Sequence, residues 1–331
     1  MISSILKATS KPNYSIVIDG KDKTELFQTR IISLTLRDVK GFEADQLGIL
    51  LDDHDGSLTM PKKGAVIKLQ LGVDDELYDK GSYIVDESNH RGPPDVISVT
   101  ARSADMRESL KIQKYKSWDN VSIEDIVKTI ASNHKLKHAV SLSFSTKIIK
   151  HLDQTSESDL HFLTRLAKDH GAIAAFKNGT ILFLVEGEGK TASGIALETA
   201  TFTRGDGDQH DYSSVERTGK YTGVQTQYYD QEAAQLEQVL VGKTGTVKTL
   251  RRVYASHDEA YNVADAEFKR VGRGAAGLRI TLALGQPNLI PEQPATLEGW
   301  KDEIIEHDWI ILDVTHHLGN GITTAISFET R

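Results

Sequence analysis

The 331-residue chain contains no cysteine. That absence excludes disulfides, thiol nucleophiles, iron–sulfur clusters and thiolate zinc sites together. Proline is scarce, seven residues against 26 glycines, so turns abound without a proline-rich linker. No apolar run approaches the ~18 residues of a membrane span. The N-terminal MISSILKATSKPNYSI has too short an apolar stretch, and no small-residue cleavage site, for a secretion signal. A soluble chain kept in a cytoplasm, with no membrane insertion, is the expectation. Basic charge is in deficit as well. The 39 Lys and Arg stand against 47 Asp and Glu, a net of −8, which argues against a dedicated nucleic-acid binder. What remains is an ordinary globular mixture, 39% hydrophobic and 26% charged, long enough for two or three domains.

The charge is uneven: residues 1–107 carry a net −3, residues 108–183 a net +3 and residues 184–331 a net −8. The pattern of apolar residues changes at the same places. Tyr14–Ile18 reads as a strand followed by the tight-turn pair Asp19-Gly20. Ile32, Leu34 and Leu36, then Ile67, Leu69 and Leu71, then Ile97, Val99 and Ala101 alternate with polar neighbours. Asp55-Gly56, Lys63-Gly64 and Lys80-Gly81 punctuate these runs, as expected of an antiparallel barrel or sandwich. In 108–183, Ser122 with Asp125 predicts a helix start before Ile123, Ile126, Val127, Ile130 and Ala131. Ser156 with Asp159 predicts a second start before Leu160, Leu163, Leu166 and Ala167, with Gly171 as the stop. A hairpin over Ile173–Phe176 and Ile181–Val185 follows, turning at Asn178-Gly179. The remainder reads as strands at Gly223–Tyr229, Glu237–Val241, Leu278–Leu284, Trp309–Val314 and Thr323–Phe328. One helix begins at Ser256 with Glu259, presents Ala260, Val263, Ala264 and Phe268, and ends at Gly272 or Gly274. Gln286–Glu298, with three prolines, reads as an irregular loop. The fold class is therefore mainly β with an α+β insert: a first β domain (1–107), a small α+β domain (108–183) and a second β domain (184–331).

No motif carries chemistry convincingly. His316 and His317 are adjacent, so on a strand they face opposite ways and cannot share an ion. His134 and His138 have helical ligand spacing, but Lys135, Leu136 and Lys137 lie between them and no HExxH glutamate is present. Solvated helix-end histidines are the expectation there. The Asp-rich stretches Asp52–Gly56 and Asp206–Asp211 fail the calcium-loop pattern: counted from Asp206, His210 is fifth and Arg217 twelfth. Turns explain them better. Gly242-Lys243-Thr244 lacks the first glycine of a phosphate loop, because Glu237 stands there, and no helix follows. Neither a GxSxG elbow nor a helix-opening GxGxxG occurs. The chain is expected to be no enzyme, with no catalytic, cofactor or metal residues.

Several segments in order carry a family likeness. LDDHDGSLTMPKKGAVIKLQLG (Leu51–Gly72), LYDKGSYIVD (Leu77–Asp86) and TARSADMR (Thr100–Arg107) come first. Trp118 with the Ser122 helix, Gln154–Gly171, and Asp313–Leu318 followed by Gly321–Thr324 complete the set. Together they resemble the phage late control protein D family, the tail hubs of contractile-tailed phages, which are similar to the N-terminal part of type VI secretion spike proteins. The likeness covers nearly the whole chain, with motifs individually loose but collinear. It implies two tube-like antiparallel β-barrel domains per subunit and a homotrimer with six pseudo-equivalent positions, joining the hexameric tail tube to the trimeric central spike. Implied partners are the chain itself, the spike, the tube, other baseplate proteins and the tape measure protein. Implied locations are the virion tail and, during assembly, the host cytoplasm. The resemblance brings no catalytic residues and no cofactor.

Two alternatives accompany the hub expectation. One is a peptidoglycan-degrading hub using Glu124, Asp125, Glu157 or Asp159 of the insert, although a carboxylate in a helix's first turn is expected simply as a cap. The other is a hub of a secretion or injection system, performing the same mechanical task.

Overall fold

The computed structural model describes residues 11–103, 108–214, 221–273 and 276–331. The N-terminal stretch as far as Ser10, Ala104–Arg107 of the third motif, Arg217 and Gly274 lie outside the described residues. The first region comprises β1 (Pro12–Ile18), β2 (Lys21–Asp22), α1 (Thr24–Gln28), β3 (Ile31–Val39), β4 (Gln46–Asp52), β5 (Val66–Val73), β6 (Glu76–Arg91) and β7 (Val96–Ser103). The middle comprises β8 (Gln113–Ser122), α2 (Ile123–Asn133), β9 (Lys137–Val140), α3 (Leu142–Ser145), β10 (Ile148–Ser158), α4 (Asp159–Asp169), β11 (Ala172–Lys177) and β12 (Thr180–Val185). Then follow β13 (Ala200–Thr203), β14 (Gly207–Ser214), β15 (Gly223–Asp230), β16 (Gln235–Gly242), β17 (Val247–Tyr254) and α5 (His257–Gly272). The chain closes with β18 (Ala276–Leu282), β19 (Pro294–Glu298), α6 (Asp302–Ile305), β20 (Trp309–Leu318) and β21 (Ile322–Thr330).

The fold is mainly β with small helical additions. Thirteen strands from both ends of the chain form one ladder, β14-β18-β21-β20-β3-β4-β7-β6-β5-β1-β2, with β19 joined to β20 and β13 to β19. Its centre is the antiparallel seam of β20 on β3, from Asp313 opposite Val39 to Leu318 opposite Leu34. Two apolar cores flank that seam. One gathers Ile16, Leu34, Leu36, Ile67, Leu69, Leu71, Val99 and Ala101; the other gathers Phe202, Leu278, Ile280, Trp309, Ile326 and Phe328. Burying each large aliphatic side chain is worth about 1.5–3 kcal/mol, so period-two alternation largely decides which face turns inward.

Two departures from alternation have local causes. Ile32 is 45% exposed because a bulge interrupts the β3–β4 register between Ile31 and Ser33. Lys80-Gly81 is not a turn between strands: it is a bulge inside the 16-residue β6, with Gly81 at φ +91°. The Asp19-Gly20 pair, in contrast, does turn β1 into β2, both residues having positive φ.

In the insert, Ser122 Oγ accepts from Asp125 N at 3.0 Å and starts α2, whose Ile123, Ile126, Val127, Ile130 and Ala131 are all buried. The second helix is capped two residues later than expected. Ser158, not Ser156, accepts from the His161 N–H, because Ser156 sits at φ +50° beside a bulge in the β8–β10 pairing. Leu163, Leu166 and Ala167 are buried and Leu160 is partly so, with Gly171 (φ +63°) following the helix. Hairpin β11–β12 turns at Asn178-Gly179 as expected, and β9 joins it in parallel. Trp118 stacks on Phe162 at 5.8 Å.

The strands β15, β16 and β17 stand apart from the large sheet. They form their own three-stranded layer under α5, with a core of Val239, Tyr254, Ala260 and Val263. Ser256 Oγ caps α5 by accepting from Glu259 N, and Phe268 is only partly buried. The proline stretch is not wholly irregular, since Pro294–Glu298 is strand β19, with its proline at the first position where no ladder donor is needed.

Leu163→Asp places an unpaired charge among Phe162, Leu166 and the α2 face and is expected to cost several kcal/mol. A thermal melt followed by near-ultraviolet circular dichroism checks this. A variant melting like the wild type contradicts the core assignment.

Candidate functional site

A cluster of largely buried charges lies where the insert hairpin meets the large sheet. The tight Asn178-Gly179 turn ends β11 at Lys177 and aims that side chain across to β3. Lys177 Nζ donates to Asp38 Oδ1 at 2.6 Å and to both oxygens of Asp45 at 2.7 and 2.8 Å. Asp45 Oδ1 also accepts from Val39 N at 3.0 Å, closing the β3–β4 turn. Burial, reinforced by the Asp38 charge, pushes Asp45 up to about 6 despite Lys177.

Lys40, one residue beyond β3, makes a second node. Its Nζ lies 2.6 Å from Glu329 Oε1, 2.9 Å from Glu186 Oε1 and 3.0 Å from Glu292 Oε1. Those partners come from β21, the residue after β12 and the loop before β19, so one ammonium joins four segments. Glu186 also pairs with Arg273 beyond α5, and Glu292 Oε2 accepts from Gly187 N at 2.8 Å. Burial opposes the Lys40 charge, but Glu292, Glu186 and Glu329 outweigh it and hold the ammonium well above the usual lysine value. Beside both nodes lies a cavity of about 400 Å3.

A third network occupies the insert. His134 is not solvated: it is buried at the end of α2, with Nδ1 2.7 Å from Ser109 Oγ and Nε2 2.7 Å from Asp159 Oδ2. Asp159 also receives Lys114 Nζ and, at 2.8 Å, Gln154 Nε2. Burial pushes this carboxyl up, but the bonds from Gln154, His134 and Lys114 win and hold it below its ordinary value. Ser, His and Asp therefore meet, but the carboxylate is shared with a lysine and an amide, as in a structural tie. The signal missed in the sequence was separation: Lys114, His134 and Asp159 lie on three different elements.

The other sequence candidates are scattered. Helix α2 ends at Asn133 and Lys135 turns to φ +55°, so His134 and His138 are not on one helical face; His138 sits 4.0 Å from Glu124. His316 is buried against Thr324, and burial together with the Lys80 charge keeps it well below the usual histidine value. His317 faces the other way, toward Thr35 Oγ1 at 3.1 Å. Asp52, Asp53 and Asp55 bond within their own loop and to Arg30, and Asp206 bonds Thr203. Gly242-Lys243-Thr244 leads into β17, not a helix. Glu157 belongs to β10 rather than a helix's first turn, and Arg165 holds it at 2.7 Å; Asp125 is bound to Ser122. A glycosidase acid needs a raised pKa, and Asp159 departs in the opposite direction. Among the described residues, no group of three or more His, Asp and Glu side chains is placed to hold a metal ion.

Against this geometry, the model of the phage tail baseplate hub (GPD) family matches residues 60–322. The chain belongs to that family. A probable baseplate hub protein of Escherichia phage 186 is 38% identical to this hub chain, over 97% of this chain and 93% of the relative. A tail protein of Neisseria meningitidis MC58 superposes with a TM-score of 0.70 at 12% identity, covering 96% of each chain. The Escherichia coli c3393 protein, a component of the type VI secretion system, superposes with a TM-score of 0.58 at 11% identity, covering 95% of this chain and 76% of its own. The type VI likeness is thus one of fold. The hub is a structural component of the phage tail baseplate, and the Lys40 and Lys177 nodes are the ties of its scaffold.

Lys40→Met would leave Glu186 to Arg273 and strand Glu292 and Glu329 without their cation, and is expected to lower unfolding free energy by about 3–5 kcal/mol, read as a fall in the urea midpoint. Asp45 titrates the other way from a paired carboxylate. Its folded pKa is raised, so its stabilisation is complete below the unfolded value of about 3.9 and is lost as pH climbs through about 6. The stability of wild type relative to Asp45→Asn should therefore fall by the order of 2 kcal/mol between pH 4 and pH 7. Urea midpoints at both pH values measure the trend, and a rise would mean that Lys177 dominates.

Proposed function

We propose that this chain is the hub of a contractile phage tail, assembling as a homotrimer that joins the six-fold tail tube to the three-fold central spike. The observation that carries the reading is the pair of β cores within one continuous ladder, flanking the β20–β3 seam. Three such chains offer six similar β units, which is the geometry a six-to-three adaptor requires. The division into 1–107, 108–183 and 184–331 belongs to this reading, with the outer regions forming the ring and the insert standing beside it. Strands at the edge of the described sheets, such as β14 and β16, then pair or are covered within the assembly, since an unprotected edge invites aggregation. The name of the phage 186 relative supports the hub role.

The role is mechanical and non-enzymatic. In the insert, the carboxylates of Asp125, Glu157 and Asp159 are tied to a cap serine or to cations, which favours structure over peptidoglycan cleavage. Spike, tube and neighbouring baseplate proteins, with the tape measure protein, are the partners, met in the host cytoplasm during assembly and retained in the virion tail.

Light scattering of the purified chain, alone and with its spike protein, tests this. The expected species is a trimer of about 110 kDa, three times the 36.5 kDa subunit, or its complex with the spike. A monomer in both conditions, with no complex, refutes the proposal.

A further inference from the structure

The cavity beside the charged nodes has the build of a binding site. It is walled by the β3–β4 turn, the β6 bulge, hairpin β11–β12 and the loops at 190–197 and 290–292. Its volume of about 400 Å3 lies in the ~300–1,000 Å3 range of small-ligand pockets. Hairpin β11–β12 is apolar on both faces. Ile181 and Phe183 enter the insert core, so Leu182 and Leu184 take the opposite face and line the cavity with Ile173, Leu197 and Ile290.

Four lysines line this space, and three are matched to acids: Lys40 to three glutamates, Lys177 to Asp38 and Asp45, Lys190 to Glu188. Lys80 is the exception. Among the described residues no carboxylate lies within 4 Å of it, and its Nζ donates only a 3.3 Å bond to the Leu289 carbonyl. The bulge that places it is itself fixed, by Gly81 at φ +91° and by the Tyr83 hydroxyl donating to the Lys80 carbonyl at 2.6 Å. The charged groups felt by Lys80 are Asp38, Asp45 and Lys177, and it in turn acts on buried His316. Burial brings its pKa down to about 8, so the ammonium form at neutral pH costs stability as the protein stands. A desolvated cation with spare donors, in a cavity that Leu182, Leu184, Leu197 and Ile290 also line, is complementary to one kind of ligand.

We propose that this cavity binds a carboxylate borne on an aliphatic body, with the Lys80 ammonium taking the carboxylate and the Leu182–Leu184 face taking the aliphatic part. Two sources share that chemistry: a free medium-chain acid, and the terminal carboxylate of another polypeptide ending in an aliphatic residue.

Isothermal titration of the full-length protein at pH 7 with decanoate, and separately with a short peptide ending in Leu-Leu as free acid or amide, tests the site. Saturable one-to-one binding of decanoate or of the free-acid peptide is expected, and which of them binds identifies the source. Lys80→Met should weaken it by roughly 30-fold or more while melting no lower than wild type. Leu182→Trp fills the cavity from the opposite wall and should abolish binding with Lys80 intact, a second test should Lys80→Met fail to fold. Failure of both probes to bind, equal binding by Lys80→Met, or a peptide amide binding as well as the acid overturns the proposal. The outcome is independent of the oligomeric state, so it does not stand or fall with the trimer.

Discussion

The rest of the architecture depends on the ammonium of Lys40. Around it converge Glu186 from the end of the insert hairpin, Glu292 from the loop before β19 and Glu329 from the final strand, while Lys40 itself follows β3. Arg273 extends the node to the end of α5. Hydrophobic burial is non-directional and would allow these units to slide over one another. A desolvated cation among three carboxylates, by contrast, tolerates only an arrangement in which every group finds its partner. The node therefore ties the insert and the end of α5 to the sheet, and the Lys177–Asp38–Asp45 tie repeats the device nearby.

The β20–β3 seam gives the same scaffold its continuity. Backbone hydrogen bonds across a ladder hold the two ends of the chain together without relying on any single side chain. Residues 34–39 and 313–318, almost the full length of the chain apart, are thereby made adjacent. Such a long-range pairing is slow to find, because loop closure must precede its reward, but once made it leaves two cores under one sheet.

Chemistry in the insert is subordinated to structure. The His134–Asp159–Lys114–Gln154 network has the ingredients of a catalytic cluster, yet both oxygens of Asp159 are engaged, Oδ2 by His134 and Lys114 and Oδ1 by Gln154, which ties the end of α2, β8 and β10 to α4. The Lys80 cavity differs because its cation is left over after the internal pairing is complete. Among the described residues its one hydrogen-bond partner is the Leu289 carbonyl, and no carboxylate neutralises it.

Local order was legible in the sequence because its causes are local. Alternation in β5 and β7, the Ser122 and Ser256 caps, the Asn178-Gly179 hairpin and the collinear motifs of the family all rest on residues a few positions apart. Local pattern failed where the register with a paired strand slips: bulges opposite β4, β5 and β8 exposed Ile32, turned Lys80-Gly81 into part of β6 and moved a helix cap from Ser156 to Ser158. The sheet membership of β15–β17 and the burial of His134 were likewise beyond local pattern. The sequence by itself determined the inward face of β5, β7 and the capped helices and which family the chain resembles, since alternation and turn geometry act over a few residues. The tertiary structure alone decided the seam, the Lys40 and Lys177 nodes and the unpaired Lys80, because charges far apart in the chain acquire partners only when the fold removes the water between them.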